Sequence, residues 1–192
     1  HHSAPPMALW PSVTPSHPPF FSVIVPVHNG EKFLAAAIQS ILNLDYQPME
    51  LIIVDDGSTD ETHKIIAAYS TKVRFLAQAN RGPAAARNLG LQYARGHVIG
   101  FLDADDLWTP DIVTRALGTL IACPEVDIVQ GRIQEIKFHA SDSSGTAYKC
   151  STKPYSFISI GSAVYRKEVF AKVGGFDETM RFCEDYDWFL RA

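Results

Sequence analysis

A doubly wound α/β fold built on a mostly parallel sheet is what this sequence predicts, and three observations predict it. Apolar, β-branched runs of strand length alternate with stretches whose apolar residues recur at helical spacing. Up to residue 106 the order is β-α-β-α-β-α-β, the pattern of parallel strands joined by crossover helices. Three strands end in polar groups, His28-Asn29, Asp55-Asp56 and Asp103-Ala104-Asp105, and ligands of such sheets gather at the carboxyl ends of the strands.

Taken in order, 20–27 is the first strand, closed by the turn His28-Asn29-Gly30. The spacing of Phe33, Leu34, Ala37, Ile38, Ile41 and Leu42 predicts a helix over 31–42. A buried strand over 50–54 follows, and Ser58 with Glu61 predicts a capping box for a helix carrying Ile65, Ile66 and Tyr69. After a third strand at 73–77, Asn80-Arg81-Gly82-Pro83 forms a turn, with Pro83 suited to the first position of a helix over 84–94 that Gly96 ends. The central strand from Val98 is apolar on both faces, as strands inside a parallel sheet are. A helix after Pro110, one or two strands over 126–138, a polar surface loop over 140–152, a strand over 157–165, a helix over 167–173 stopped by Gly174-Gly175, and a last helix opened by Glu184-Asp185 complete the prediction.

The chain has 192 residues, 46% hydrophobic and 20% charged, which suits one globular domain with a substantial core. A formal charge of −4 gives no electrostatic case for nucleic acid or an anionic membrane surface as partner. No apolar run has the length of a membrane span. His1-His2 have the look of a tag remnant and 5–19 is proline-rich. Residues 1–19 are therefore set apart as a disordered leader and 20–192 as the domain. The final helix is expected to continue past Ala192. Cys123, Cys150 and Cys183, odd in number and without C-x-x-C spacing, are expected as reduced, mostly buried thiols.

The chemistry concentrates after the central strand. Asp103, Asp105 and Asp106 crowd three carboxylates into four residues, and such groups repel unless a cation holds them. Asp-x-Asp at a strand end lets two carboxylates converge on a hard divalent ion that also takes phosphate oxygens. The same residues equally read as the polar entry to a helix, capped by Asp106 or Thr109. Trp108 either contacts a sugar or packs. His28 and His139 are expected as surface or packing histidines, and Tyr186, Trp188 and Phe189 as core at helical spacing.

An ordered series of segments resembles the family 2 glycosyltransferases of the GT-A fold: 22–29 (SVIVPVHN), 53–60 (IVDDGSTD), Gly82 through Arg87-Asn88, 102–106 (LDADD), 173–178 (VGGFDE) and 184–187 (EDYD). The resemblance implies a Rossmann-like mostly parallel sheet with a small antiparallel part. It implies transfer of a hexose from a nucleotide sugar, a UDP-sugar, to a saccharide, lipid-linked or other hydroxyl acceptor with inversion, as in cell-envelope polysaccharide synthesis. It places Pro26, Val27, Asn29 and Glu31 around the uridine, and Asp56 as acceptor of a hydrogen bond from the uracil. Arg87 then faces the phosphates, Asp103, Ala104 and Asp105 form the Asp-x-Asp motif with Asp105 and Asp103 on Mn²⁺ or Mg²⁺, and Asp185 is the general base. It also implies a cytoplasmic protein, with membrane association through a segment beyond Ala192. A non-catalytic nucleotide-sugar binding module is the alternative. A phosphoacceptor receiver domain shares the acid placement but leaves the Gly-Gly-Phe-Asp-Glu and Glu-Asp segments without a role.

Overall fold

The computed structural model describes residues 17–142, 145–180 and 182–192, with the backbone alone over 137–142 and 145–149. The expected leader therefore lies outside the described residues up to position 16, as does the side chain of His139.

Strand β1 (Phe21–Val27) is buried at every position, because it is the strand from which the sheet is wound in both directions. On one side it pairs in parallel with β2 (Met49–Asp56), which pairs with β3 (Arg74–Gln78). On the other it pairs in parallel with β4 (Val98–Phe101), placing Val23 between Leu51 and Gly100. The chain then reverses. β5 (Ile128–Gln130) and β8 (Ala163–Arg166) are antiparallel additions, and the six-stranded order is β3-β2-β1-β4-β8-β5. The switch of direction between β1 and β4 opens a crevice at their carboxyl ends.

Helices cover both faces. Val23, Val25 and Val27 face helices α1 (Leu34–Leu42) and α4 (Pro110–Ala122), with α2 (Thr62–Ala68) adding Ile66. Ile24, Ile52, Ile99 and Phe101 face α3 (Pro83–Tyr93), α5 (Lys167–Val173) and α6 (Glu184–Arg191). Trp188 of α6 is fully buried on that side, stacked on Phe170 at 4.7 Å between centroids. Its indole N–H donates to Gly174 O at 2.9 Å, which satisfies the one polar atom the ring carries inside. Tyr186 and Phe189, expected as core beside it, are exposed and half-buried respectively.

Several expectations are corrected. The polar segment 140–152 is largely strand, since β6 (Ile136–Asp142) and β7 (Gly145–Cys150) pair as an antiparallel hairpin apart from the main sheet. Its pairing is of backbone groups between two neighbouring segments, which a polar sequence can supply as well as an apolar one, so the sequence looks like a loop. Of the strand expected over 157–165 only the end is strand, preceded by a short 3-10 turn over Ile160–Ser162. The Ser58–Glu61 capping box does not form. Asn29 N donates to Ser58 Oγ at 2.9 Å instead, and Asp60 Oδ1 takes Thr62 N at the head of α2. Cys150 and Cys183 are exposed and Cys123 half-buried, all three as free thiols. Trp108 packs: its ring stacks on Phe21 and its N–H donates to Gly161 O. Among the described residues no helix is long and apolar enough to cross a membrane.

Gly96 does more than follow a helix end. A Cβ there would stand 2.6 Å from Ser22 N and 2.7 Å from Phe20 O. Its own N–H donates to the buried Ser22 hydroxyl, which donates in turn to Glu50. Because backbone atoms crowd the site, Gly96→Ala is expected to destabilise the fold by about 1–3 kcal/mol. Urea denaturation checks this, and an unchanged midpoint would show that the entry to β4 relaxes freely.

Candidate active site

The carboxyl ends of β1, β2 and β4 and the first turns of α3 surround a cleft of about 480 Å³. Pro26, Val27, His28, Asn29, Gly30 and Phe33 line one side, Asp56, Pro83, Ala86 and Arg87 another, and Asp103, Ala104 and Asp105 the third. Eight of the ten residues expected at the site, Pro26, Val27, Asn29, Asp56, Arg87, Asp103, Ala104 and Asp105, thus share one wall system. Two stand outside the lining, Glu31 and Asp185.

Hydrogen bonds between neighbouring loops shape the β1 end. Asn29, at a positive φ of 55°, accepts from Thr59 N at its Oδ1 (2.8 Å). Gly30 N donates to Thr62 Oγ1 (2.8 Å) and Glu31 N to Asp60 Oδ2 (3.0 Å). Glu31, expected beside the uridine, turns its carboxylate to Glu61 N at 3.2 Å and so fastens α2 rather than lining the cleft. His28, read as a surface or packing histidine, lines the cleft, with Nδ1 2.9 Å from Asp56 O.

Asp56, 4% exposed, ends β2 as a carboxylate held by three donors. Gln78 Nε2 and Arg81 N donate to Oδ1 (2.7 and 2.8 Å), and Gly82 N donates to Oδ2 (2.8 Å). A carboxylate oxygen accepts about two hydrogen bonds, so Oδ2 has capacity for one more donor from the cleft. The positive φ of Gly82, 91°, lets the chain present both N–H groups before Pro83 starts α3.

Arg87 is 5% exposed and lies between two carboxylates. Its Nη2 donates to Asp103 Oδ1 at 2.8 Å and its Nη1 to Glu184 Oε1. The Phe176 ring centroid lies 5.8 Å from its Cζ, and Nε has no hydrogen-bond partner among the described residues. Burial pulls the guanidinium's proton affinity down, but Asp103 first and Glu184 next hold it above its ordinary value. The cation therefore forms part of the cleft wall with both Nη groups already engaged, instead of reaching openly toward a ligand.

Asp103 keeps its second oxygen, and Asp105 is exposed at the rim. Asp106 turns its carboxyl back toward Gly161. It is pushed up to about 6, by desolvation and then by Asp103 and Asp105, so the loop carries a concentrated negative potential. Hard oxygen donors at a crowded anionic rim fit a divalent cation that completes its shell with ligand oxygens. Among the described residues no three His, Cys, Asp or Glu side chains are grouped so as to hold a metal ion by themselves. Thr109 caps α4 by position but points its hydroxyl at Asp111.

Asp185 lies in the first turn of α6, half-buried, its Oδ1 accepting from Tyr186 N at 2.8 Å. Its neighbour Glu184 is the buried partner of Arg87. In the sequence Glu184 is only part of the acidic opening of α6, and the improbability of burying an acid without a cation is the signal that distinguishes it. Asn88 follows Arg87 on α3. Its amide pairs with Phe176 N and O (2.9 Å each) and with Glu178, while Arg81 meets Glu178 at 2.6 Å. These bonds tie the Gly-Gly-Phe-Asp-Glu segment to α3.

The sequence profile of Glycosyl transferase family 2 matches residues 22–174. A glycosyltransferase of Haemophilus influenzae is 44% identical over 54% of this chain and 43% of its own length. One of Rickettsia prowazekii is 30% identical over 89% of this chain and 58% of its own. The minor teichoic acid biosynthesis protein GgaA of Bacillus subtilis is 30% identical over 88% and 42%. The chain thus spans about half the length of the curated relatives it matches. Among solved structures, S. aureus TarS 1-349 in complex with UDP-GlcNAc superposes with a TM-score of 0.70 at 24% identity, covering 90% of this chain and 52% of that one. The mannosyltransferase PcManGT of Pyrobaculum calidifontis, in complex with GDP-Man and Mn²⁺, gives 0.66 at 23%, covering 89% and 51%. Both share the fold of this chain. With the family's pattern running through the strands and loops that build the cleft, the chain belongs to glycosyltransferase family 2 and has its GT-A fold.

Proposed function

We propose that the cleft binds a nucleoside diphosphate sugar, a UDP-sugar, together with a divalent cation, and that the sugar passes to an acceptor hydroxyl with inversion. One observation carries the reading: a single cleft holds a base-sized polar end at Asp56 and, across Ala86 and Arg87, the acidic rim of Asp103 and Asp105. Pro26, Val27 and Asn29 bound the nucleoside, and the spare capacity of Asp56 Oδ2 accepts an imide N–H of the base. Asp105 and Asp103 are the residues that would hold Mn²⁺ or Mg²⁺ beside the diphosphate, and when bound the cation offsets charge gathering on the departing nucleotide. Arg87 adds a fixed positive dipole at the same wall.

Asp185 is the general base in this reading. It takes the acceptor hydroxyl proton while the acceptor oxygen bonds the anomeric carbon and the sugar–phosphate C–O bond breaks, its electron pair leaving on the diphosphate. One displacement inverts the centre and needs no nucleophilic carboxylate. The UDP-GlcNAc bound by TarS and the teichoic acid role in GgaA's name support a UDP-sugar donor and a hydroxyl acceptor in cell-envelope polymer synthesis. GDP-Man in PcManGT keeps guanine in the comparison. Three free thiols agree with a cytoplasmic setting.

Calorimetric titration of UDP is expected to give binding that Mn²⁺ strengthens by about tenfold or more, with the gain lost in Asp105→Ala. A folded protein that binds UDP in neither condition would remove the donor-site assignment, and GDP in the same cell would reveal a guanine site. Asp185→Asn is expected to keep UDP affinity while slowing UDP release from UDP-hexoses with saccharide acceptors by about 10²–10⁴-fold. Equal turnover in the variant and the parent would place the base elsewhere.

A further inference from the structure

Asp103 and Glu184 share one cation. The two pairs differ in setting: the Arg87 and Glu184 side chains are 6% and 8% exposed, whereas Asp103 is 40% exposed toward the cleft. The three groups carry a net formal charge of −1, with Nη1 of Arg87 on Glu184 and Nη2 on Asp103. No role in the sugar transfer described above requires Glu184 to touch a substrate.

We infer that Glu184 is a positioning residue that acts through Arg87: by pairing with Nη1 it offsets the guanidinium's positive charge, and so preserves the negative potential that Asp103 offers to the cation side of the donor site. The inference rests on the donor-site reading above. Its physics is local. At 2.8 Å, and with the guanidinium itself buried, Arg87 acts on Asp103 at contact distance from the protein side of the carboxylate. Remove the Glu184 charge and the Arg87 charge acts on Asp103 without that offset, leaving it a poorer ligand for a cation, while the guanidinium becomes a better partner for bare phosphate. A purely structural acid at the head of α6 would stabilise the helix N-terminus without moving metal-dependent and metal-free binding in opposite directions.

The readout is the metal factor, the ratio of the UDP dissociation constant in EDTA to that in Mn²⁺, measured by calorimetry on the whole chain with thermal melts alongside. Glu184→Gln is expected to lower this factor about tenfold, the equivalent of one pKa unit of lost charge interaction, with metal-free UDP binding tighter than in the parent. Adding Arg87→Gln in the same chain removes the cation that Glu184 restrains, so the factor returns to within about threefold of the parent, any lost Arg87–phosphate contact cancelling in the ratio. An unchanged factor in Glu184→Gln overturns the inference, as does a factor in the double variant that stays low. Should Glu184→Gln fail to fold, Glu184→Asp, whose shorter side chain draws its charge away from Nη1, is expected to lower the factor in the same direction, and an unchanged factor there overturns the inference. A parent chain that binds UDP with no metal factor overturns the donor-site metal and this inference together, whereas a normal parent factor with an indifferent Glu184→Gln overturns this inference only.

Discussion

The ion-pair bridge through Arg87 is the interaction on which the arrangement of the site depends. It joins α3, the end of β4 and the start of α6, bringing Asp103 and Glu184, 16 and 97 positions away in sequence, onto one guanidinium. Burying such a group is costly, and a buried ion pair is a weak source of net stability compared with apolar packing. What it supplies is registration: an alternative packing of α6 would strand two charges without water. The bridge is reachable only because α3 lies low on the sheet. Ala84, Ala85 and Ala86 are buried, and a Cβ at Gly90 would meet Ile24 Cγ2 at 2.4 Å, so larger residues there would lift Arg87 away from the strand ends.

A second, polar layer holds the nucleoside end. Val23, Val25 and Val27 give β1 its core, but at Asn29 the chain leaves the sheet and no apolar contact fixes its path. Ser58, Thr59, Asp60 and Thr62 take over, each bonding a residue between 29 and 31. Directional bonds at this rim set the loop's shape while leaving the Val27 and Pro26 backbone facing the cleft. The Asp-Gly-Ser-Thr-Asp segment therefore has two parts, Asp56 presented to the cleft and the remainder joining two loops.

That division explains what the sequence made legible. Strands β1, β2 and β4 were plain because both faces are apolar, and Pro83 and the helix over Lys167–Val173 were plain because local backbone chemistry decides them. Eight expected site residues meet in one cleft because strand ends in a parallel sheet must converge. The failures share a different cause. Ser58 carried the local signature of a cap but was claimed by Asn29 from another loop, and β6 and β7 pair with each other in a sheet separate from the six-stranded one. Glu31 sits at the right turn, yet its carboxylate is drawn to the free N–H at Glu61. Partners distant in sequence decided each case, and periodicity carries no information about them.

Glu184 and Asp185 show the same logic within two adjacent acids. Successive helical residues point about 100° apart, so a helix that packs through one of them must turn the other away. Trp188, on the same face as Glu184 one turn later, is fully buried and bonded to Gly174 O. Arg191 fastens the end of α6 to Val173 O and Gly175 O. The helix is therefore pinned along one side to the segment that Asn88 and Arg81 hold against α3. The carboxylate of Glu184 is committed to the buried guanidinium of Arg87. Asp185 accepts the N–H of Tyr186 on one oxygen and is only half-buried. The two acids differ in burial: Glu184 is held inside against Arg87, while Asp185, one residue on, is turned partly to solvent.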